Sequence, residues 1–458
     1  MHLRASLAIA AGRLGAATLH RLSRGGTALP GVVALRLDPR LATRLGRQLR
    51  AGRLIITGTN GKTTTARMTS AMLEAAGSPV LHNREGSNLM RGITSALLAH
   101  ADMRGTLHTE PGTVGLFETD EATTPLAARA LQPTAIAITN LFRDQLDRYG
   151  EVDTVAAFWR EALAASPPGA SLVLNADDPS VAELGTGWSG PVHYVGIDDP
   201  AHAGGPVGAT DARWCHACNG DFRYEQRFFA HLGHWRCQGC GLARPEPDTR
   251  ATDVHLGLDD ATFTVDGLGE VHMHLTGLYN VWNALCAIGL ARTMGLPNDA
   301  IRAGLEAVRP AFGRQERVEV DGVGMRLLLA KNPAGANQVV RLLSAIEQPL
   351  QVAVLLNDRF ADGQDVSWTW DVDYEFIADR VSRCWVGGDR AADMALRLKY
   401  AGWPAPRAVE RSPAVLIDAI LRDAQPGEEL FVLPTYSALL DFRQDLVRRG
   451  GTEAFWQT

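Results

Sequence analysis

The chain has 458 residues, 46% hydrophobic and 21% charged, the values of a soluble globular protein long enough for about three domains. A net charge of −6 does not advertise nucleic-acid binding. Of its 45 basic residues only three are lysines, Lys62, Lys331 and Lys399, so chemistry that needs an amine must use one of these.

Residues 1–50 read as one or two helices with a Gly/Pro turn at 25–31. Ser6–Leu19 is apolar but interrupted by Arg13, too short to span a membrane and without a cleavage site. It fits a packed helix or an amphipathic surface helix. Leu54–Thr57 reads as a short buried strand, 58–62 as a glycine loop and 63–76 as a helix that stops before Gly77. Apolar runs follow at Val114–Phe117, Thr134–Thr139, Leu172–Leu174 and His193–Val195, with helical patterns between them. That alternation predicts a parallel α/β sheet. Residues 211–250 break the pattern; sheet-like sequence resumes at 252–276, and a helix begins near Tyr279. A Pro/Gly boundary at 309–314 precedes a smaller α/β region, with strands at Leu327–Ala330, Val352–Leu356, Cys384–Val386 and Leu430–Leu433 and helices at 336–346, 391–401 and 413–423. The expected organisation is an N-terminal helical segment (1–50), a central domain (51–310) with an insertion at about 211–250, and a C-terminal α/β domain (311–458).

Strand, glycine loop, Lys-Thr and helix together bind phosphate, because loop N–H groups and the helix dipole face the anion. Lys62 would reach the terminal phosphates and Thr63 would ligate Mg²⁺. The general G-x-x-x-x-G-K-[ST] pattern is not met, since Ile56 stands at its first glycine; the chain has Thr57-Gly58-Thr59-Asn60-Gly61-Lys62-Thr63-Thr64. Cys215-x-x-Cys218 and Cys237-x-x-Cys240 have zinc-ribbon spacing. Four thiolates close a tetrahedral Zn²⁺ site and leave no open position, which makes the metal structural; redox chemistry is the alternative, and tandem pairs weigh against it. His216, His231 and His234 read as solvated loop residues or spare ligands, and Cys286 and Cys384 as core thiols. The stretch 356–375, dense in carboxylates and aromatics, follows a strand; it is a site, an interface or a solvated acidic loop.

The 57–64 loop resembles the ATP site of the Mur ligase family, which includes folylpolyglutamate synthase. Further segments fit the resemblance in order: Phe117-Glu118-Thr119-Asp120-Glu121, Thr139–Tyr149, Leu174-Asn175-Ala176-Asp177-Asp178, Gly277–Asn283 and Gly313-Arg314-Gln315-Glu316. The resemblance implies a central ATPase domain with a parallel sheet, Glu118 as Mg²⁺ ligand, Asn280 and Asn283 at the adenine, and activation of a carboxylate as an acyl phosphate before an amine adds. Two departures stand out. Gln145 replaces the family's metal-site histidine, and no lysine between Lys62 and Lys331 is available for carbamylation.

From the 25–31 turn onward the chain is similar to one branch of the family, the synthetase subunits of lipid II isoglutaminyl synthases. The similarity rests on 143–151 (RDQLDRYGE), the four-cysteine insertion, 330–337 (AKNPAGAN) and 361–371 (ADGQDVSWTWD). It implies ATP, Mg²⁺ and Zn²⁺, and a heterodimer with a GatD-like glutamine amidotransferase that releases ammonia. The substrate would be lipid II, whose D-Glu α-carboxyl becomes D-isoglutamine in peptidoglycan synthesis. Lys331 and Arg314 would touch the γ-phosphate, and Glu118, Lys331, Asp365 and Asp371 form the expected catalytic set. Asp365, or Asp371 after it, would complete the partner's triad by orienting its histidine. The expected place is the cytoplasm, peripheral at the inner membrane face. Two alternatives stay open: an amino-acid-adding Mur ligase or folylpolyglutamate-synthase-like ligase, and a non-catalytic nucleotide-binding scaffold.

Overall fold

Strands made of consecutive apolar residues need cover on both faces, and the strand after residue 50 shows how it is supplied. In β1 (Arg53–Thr57), Leu54 and Ile56 enter one core and Ile55 the other. The computed structural model describes residues 3–21, 28–83, 87–143, 152–204, 211–212, 214–310 and 314–450. β1 lies within a nine-stranded sheet with β2 (Val80–His82), β3 (Val114–Glu118), β4 (Ala135–Ile138), β5 (Ser171–Asn175), β6 (Val192–Ile197), β9 (Thr249–Leu256), β10 (Ala261–Val265) and β11 (Gly269–Met273). The order is β11-β10-β9-β6-β5-β4-β1-β3-β2. Pairing is parallel from β2 to β9 and antiparallel through β10 and β11. The β6-to-β9 crossover carries a separate hairpin, β7 (Phe222–Phe229) and β8 (Leu232–Cys237).

The N-terminal helices α1 (Leu3–Arg21), α2 (Leu29–Leu37) and α3 (Leu41–Gly46) do not stand apart from the sheet. Leu41, Leu45 and Leu49 share a core with Ile55, Phe117 and Ile136, together with residues of α5 (Met90–Ala99), α6 (Thr124–Leu131) and α7 (Val152–Ala165). The opposite face is covered by α4 (Lys62–Ala75) and α8 (Leu278–Thr293), with α9 (Asn298–Ala307) lying across α4.

A six-stranded sheet follows, in the order β12-β13-β17-β14-β15-β16. Its strands are β12 (Arg314–Val320), β13 (Val323–Leu328), β14 (Leu350–Leu355), β15 (Val381–Gly387), β16 (Val409–Glu410) and β17 (Glu429–Pro434). All pairs are parallel except the β12–β13 hairpin. That hairpin was not expected from the sequence, yet Asp321-Gly322 at its turn, both with positive φ, is a strong hairpin signal. The helix expected at 336–346 starts earlier, as α10 (Pro333–Ser344), because Asn332 caps it by accepting from Gly335 N at 2.7 Å.

The crossing of α9 over α4 depends on Gly304, where a Cβ would lie 2.5 Å from the Met72 backbone N and Cα. Gly304→Ala is expected to destabilise the protein by about 1–3 kcal/mol despite alanine's better helix propensity. A thermal melt checks this; an unchanged or raised midpoint would show that the crossing is not tight.

Candidate active site

The parallel strands β1, β3 and β4 end side by side, and the glycine loop leaves β1 between its neighbours. The loop is fastened to the segment after β4. Thr59 N donates to Asn140 O at 2.9 Å, and Asn60 N to Asn140 Oδ1 at 2.9 Å. Asn140 Nδ2 donates back to Asn60 O at 3.1 Å, and Thr139 Oγ1 adds a bond to that oxygen at 2.7 Å. Thr59 Oγ1 both accepts from Phe142 N and donates to Phe142 O, at 3.0 and 3.1 Å. Two glycines make the path possible. Gly58 has φ +134° and Gly61 φ +88°, and a Cβ on Gly61 would lie 1.9 Å from Asn283 Oδ1.

Lys62 opens α4 and turns into the loop. Its ammonium donates to Gly58 O, to Thr59 O at 3.2 Å and to Glu121 Oε1 at 2.8 Å. Burial opposes the charge, but Glu121, with Glu118 and Asp120 beyond it, outweighs burial and holds the lysine above its ordinary value. Thr63 Oγ1 donates to Glu118 Oε1 at 3.1 Å. Adjacent hydroxyl and carboxylate oxygens form a hard donor set that suits Mg²⁺. Asn83 fixes Glu118 from behind: Oδ1 accepts from Glu118 N at 3.0 Å, and Nδ2 donates to Glu118 O at 2.8 Å. Thr64 is buried one residue further along α4.

Asn280 and Asn283 lie behind the loop on the first turns of α8, buried and bonded to each other at 3.1 Å. Gln315 of β12 reaches across to the start of α8. It pairs with Thr276 through both ends of its amide and donates to Tyr279 OH at 2.7 Å. Arg314 starts β12; its side chain lies outside the described residues. Lys331 is half-buried in the loop after β13, and the next residue meets the glycine loop directly, Asn332 Nδ2 donating to Asn60 Oδ1 at 3.1 Å. The structure thus gathers the 58–64 loop, Glu118, Asn280, Asn283 and the Lys331-Asn332 corner. Residues 144–151, which include Gln145, lie outside the described residues. Glu121, Asn140 and Gln315 stand in segments quoted for the family resemblance but were given no role of their own, and Asn83 stands in none of them.

The four sulfurs of Cys215, Cys218, Cys237 and Cys240 lie within 4.8 Å of one another. Cys215 and Cys240 are 3.7 Å apart, and Cys218 and Cys237 3.4 Å. Zn–S bonds of about 2.3 Å in a tetrahedron put sulfurs about 3.8 Å apart, so the residues fit the metal. N–H groups of Cys240 and Gly239 aimed at Cys237 lower its thiol to about 6. The nearby histidines are not solvated loop residues, because apolar neighbours drive the hairpin into the central core. His231 is fully buried, 3.3 Å from Asp178 Oδ2 and packed at a tilt against Phe142 with ring centroids 4.6 Å apart. His234 Nε2 lies 3.1 Å from Asp198 Oδ1, and half-buried His216 lies 3.3 Å from Asp153 Oδ1. Cys286 and Cys384 are core thiols, lifted by burial to about 12 and about 11.

In the loop after β14, Asp365 is exposed; Oδ1 accepts from Ser367 N at 2.8 Å, and the Ser367 bonds hold it below the usual carboxylate range. Asp371 lies elsewhere, 3.4 Å from Arg143 Nη2 on the segment that follows β4. Exposed Phe360 and Trp370 accompany them. The loop is therefore not a plain solvated acidic stretch.

Comparison with known proteins gives a consistent picture. The family model for the Mur ligase middle domain matches residues 56–210, and the one for the MurT ligase C-terminal region matches 329–439. The chain is 35% identical over 458 residues to the lipid II isoglutaminyl synthase (glutamine-hydrolyzing) subunit MurT of Streptococcus pneumoniae, covering 98% of each chain. It is 31% identical to the Staphylococcus aureus (strain COL) subunit of the same name, covering 93% of this chain and 94% of that one. Among solved structures, a pseudomurein peptide ligase type C from Methanothermus fervidus aligns with TM-score 0.66 at 21% identity, covering 88% of this chain and 79% of that one, which is a likeness of fold.

Asn140→Ala removes the two side-chain bonds to Asn60 that shape the loop and is expected to weaken ATP binding about tenfold, at about 1–3 kcal/mol for buried groups left unpaired; calorimetric titration measures it. Stripping metal with a strong chelator is expected to lower the melting temperature by several degrees, with recovery on adding Zn²⁺. A midpoint indifferent to chelation would rule out a structural metal.

Proposed function

The chain belongs to the MurT family of Mur ligases, and on that footing we propose that it is the ATP-dependent synthetase subunit of a lipid II isoglutaminyl synthase. The observation that carries the reading is the convergence of Lys62, Thr63 and Glu118 at the strand ends, with Asn332 of the second sheet bonded to Asn60. A phosphoryl-transfer site needs an anion cradle, a metal-ligand pair and a second body that closes over the terminal phosphate, and this arrangement supplies each.

In this reading the D-Glu α-carboxylate of the lipid II stem peptide attacks the γ-phosphorus of ATP. ADP leaves, and an acyl phosphate forms. Ammonia then adds to the acyl carbon, and phosphate departs to give D-isoglutamine. Lys62 exchanges one of its loop carbonyls for a phosphate oxygen, and Thr63 and Glu118 would hold Mg²⁺, which would supply further positive charge at the transferring phosphoryl group. Asn280 and Asn283 serve the adenine side, while Lys331 and Arg314 approach the γ-phosphate. Ammonia is small and uncharged, so no pocket for an amino-acid acceptor is needed. The absence of any lysine between Lys62 and Lys331 weighs against the amino-acid-adding alternatives.

The ammonia source is a GatD-like glutamine amidotransferase. Asp365, exposed and ionised among outward-facing aromatics, is the carboxylate offered to the partner's histidine; Asp371 is the less suited of the two because Arg143 engages it. The four cysteines would hold Zn²⁺, which would brace the inserted hairpin. The protein works in the cytoplasm at the inner membrane face.

Asp365→Asn is expected to abolish glutamine-dependent amidation while leaving most ammonia-dependent activity, and Lys62→Ala to abolish both. Amidation of lipid II by the reconstituted complex, with glutamine or ammonium as donor, is the measurement. Equal loss of the two activities in Asp365→Asn would sink that assignment, and an active Lys62→Ala would sink the ligase reading.

A further inference from the structure

Residues 1–50 contain nine arginines and one acidic residue, in a chain whose net charge is −6. That one acid, Asp38, is buried and paired with Arg44. Among the described residues Arg4, Arg13, Arg36, Arg40, Arg47 and Arg50 are exposed, with no other acid in their own segment, and the rest of the chain carries the negative excess.

The same helices present large apolar side chains to solvent. Ala5, Ala8 and Ile9 form the buried face of α1. On the outer face Leu7 is 58% exposed and Leu14, two turns on, 71% exposed, next to exposed Arg4 and Arg13. Arg4 Nε donates to Leu37 O at 2.8 Å, so the start of α1 meets the end of α2, where Leu37 and Arg36 are also exposed. Leucines interleaved with arginines, on helices whose own single carboxylate is buried, match the acyl boundary and the headgroups of an anionic bilayer. A packed helix that served only the core would place its polar residues outward, not its leucines.

The position also fits. Gly31 of α2 lies so close to α5 that a Cβ would be 1.8 Å from Arg91 O, and Gly31 N donates to Ser95 Oγ at 2.9 Å. The residues leading into α5 touch the catalytic end of the sheet, with Asp120 N donating to Asn88 O at 3.0 Å. The helix pair is thus mounted on the element that borders the Glu118–Glu121 carboxylates.

We propose that the outer face of α1 and α2 is a docking surface for anionic phospholipid, which holds the active site beside a lipid-anchored substrate. The proposal rests on the substrate reading above for its purpose and on the leucines and arginines for its chemistry. The test is flotation of the full chain with phosphatidylcholine vesicles, with and without phosphatidylglycerol. The wild-type protein is expected to float only with the anionic vesicles, less so as salt rises. Leu7→Glu/Leu14→Glu, altering two exposed positions, is expected to weaken binding about tenfold or more with an unchanged melt and unchanged amidation of a water-soluble short-chain analogue. No binding of wild type to anionic vesicles overturns the proposal, whatever the variant does, and so does equal binding by the two proteins. Loss of association with the partner subunit in the variant, with no vesicle binding by wild type, would assign the face to protein instead. Failure to amidate the soluble analogue at all would count against the substrate reading and not against the docking surface.

Discussion

The site is built on an exchange of hydrogen bonds between two loops that leave neighbouring strands. The loop after β1 contains glycines that allow many shapes, so its shape must be imposed. The segment after β4 imposes it through Thr139, Asn140 and Phe142. These bonds continue the β1–β4 pairing past the point where the strands end. Lys62 is then held by carbonyls of the same loop and by Glu121, and the N-terminus of α4 is aimed where an anion would sit.

The cysteine hairpin reaches this loop by a short path. Its tip residue, His231, lies between Asp178 and Phe142; Asp178 Oδ2 accepts from Leu141 N at 2.7 Å, and Phe142 is the residue bonded to Thr59. On its other side the hairpin accepts bonds from Arg341 of α10, through Phe228 O and, beside it, His202 O at 2.8 Å. The insertion therefore touches the phosphate-loop support and the first helix of the second sheet. Four sulfurs cluster at one end of the hairpin, and Phe228, Phe229 and Trp235 are buried along the rest.

Much of this was legible in the chain. Apolar runs located most strands because parallel strands are buried on both faces, and the Lys-Thr after a glycine loop located the anion cradle. The β12–β13 hairpin was overlooked although Asp321-Gly322 announced it. His231 was misread because Cys and His dominate its surroundings, while Phe228-Phe229-Ala230 and Leu232 on either side already pointed inward. No role could be read for Glu121, Asn83 or Gln315, although Glu121 and Gln315 stand in the family-like segments. Their roles depend on partners 59, 35 and 39 residues away, and a single sequence carries no trace of such pairings.

Asn140 shows how strict such a pairing is. It accepts from the Asn60 N–H with one end of its amide and donates to the Asn60 carbonyl with the other, acting as a one-residue strand. Its outline is therefore less restrictive than the direction of its hydrogens. Aspartate has the same size and shape, but it would set two oxygens against each other at the buried end. Alanine only removes these two bonds, whereas aspartate would push the loop away, so the isosteric replacement is the more damaging of the two.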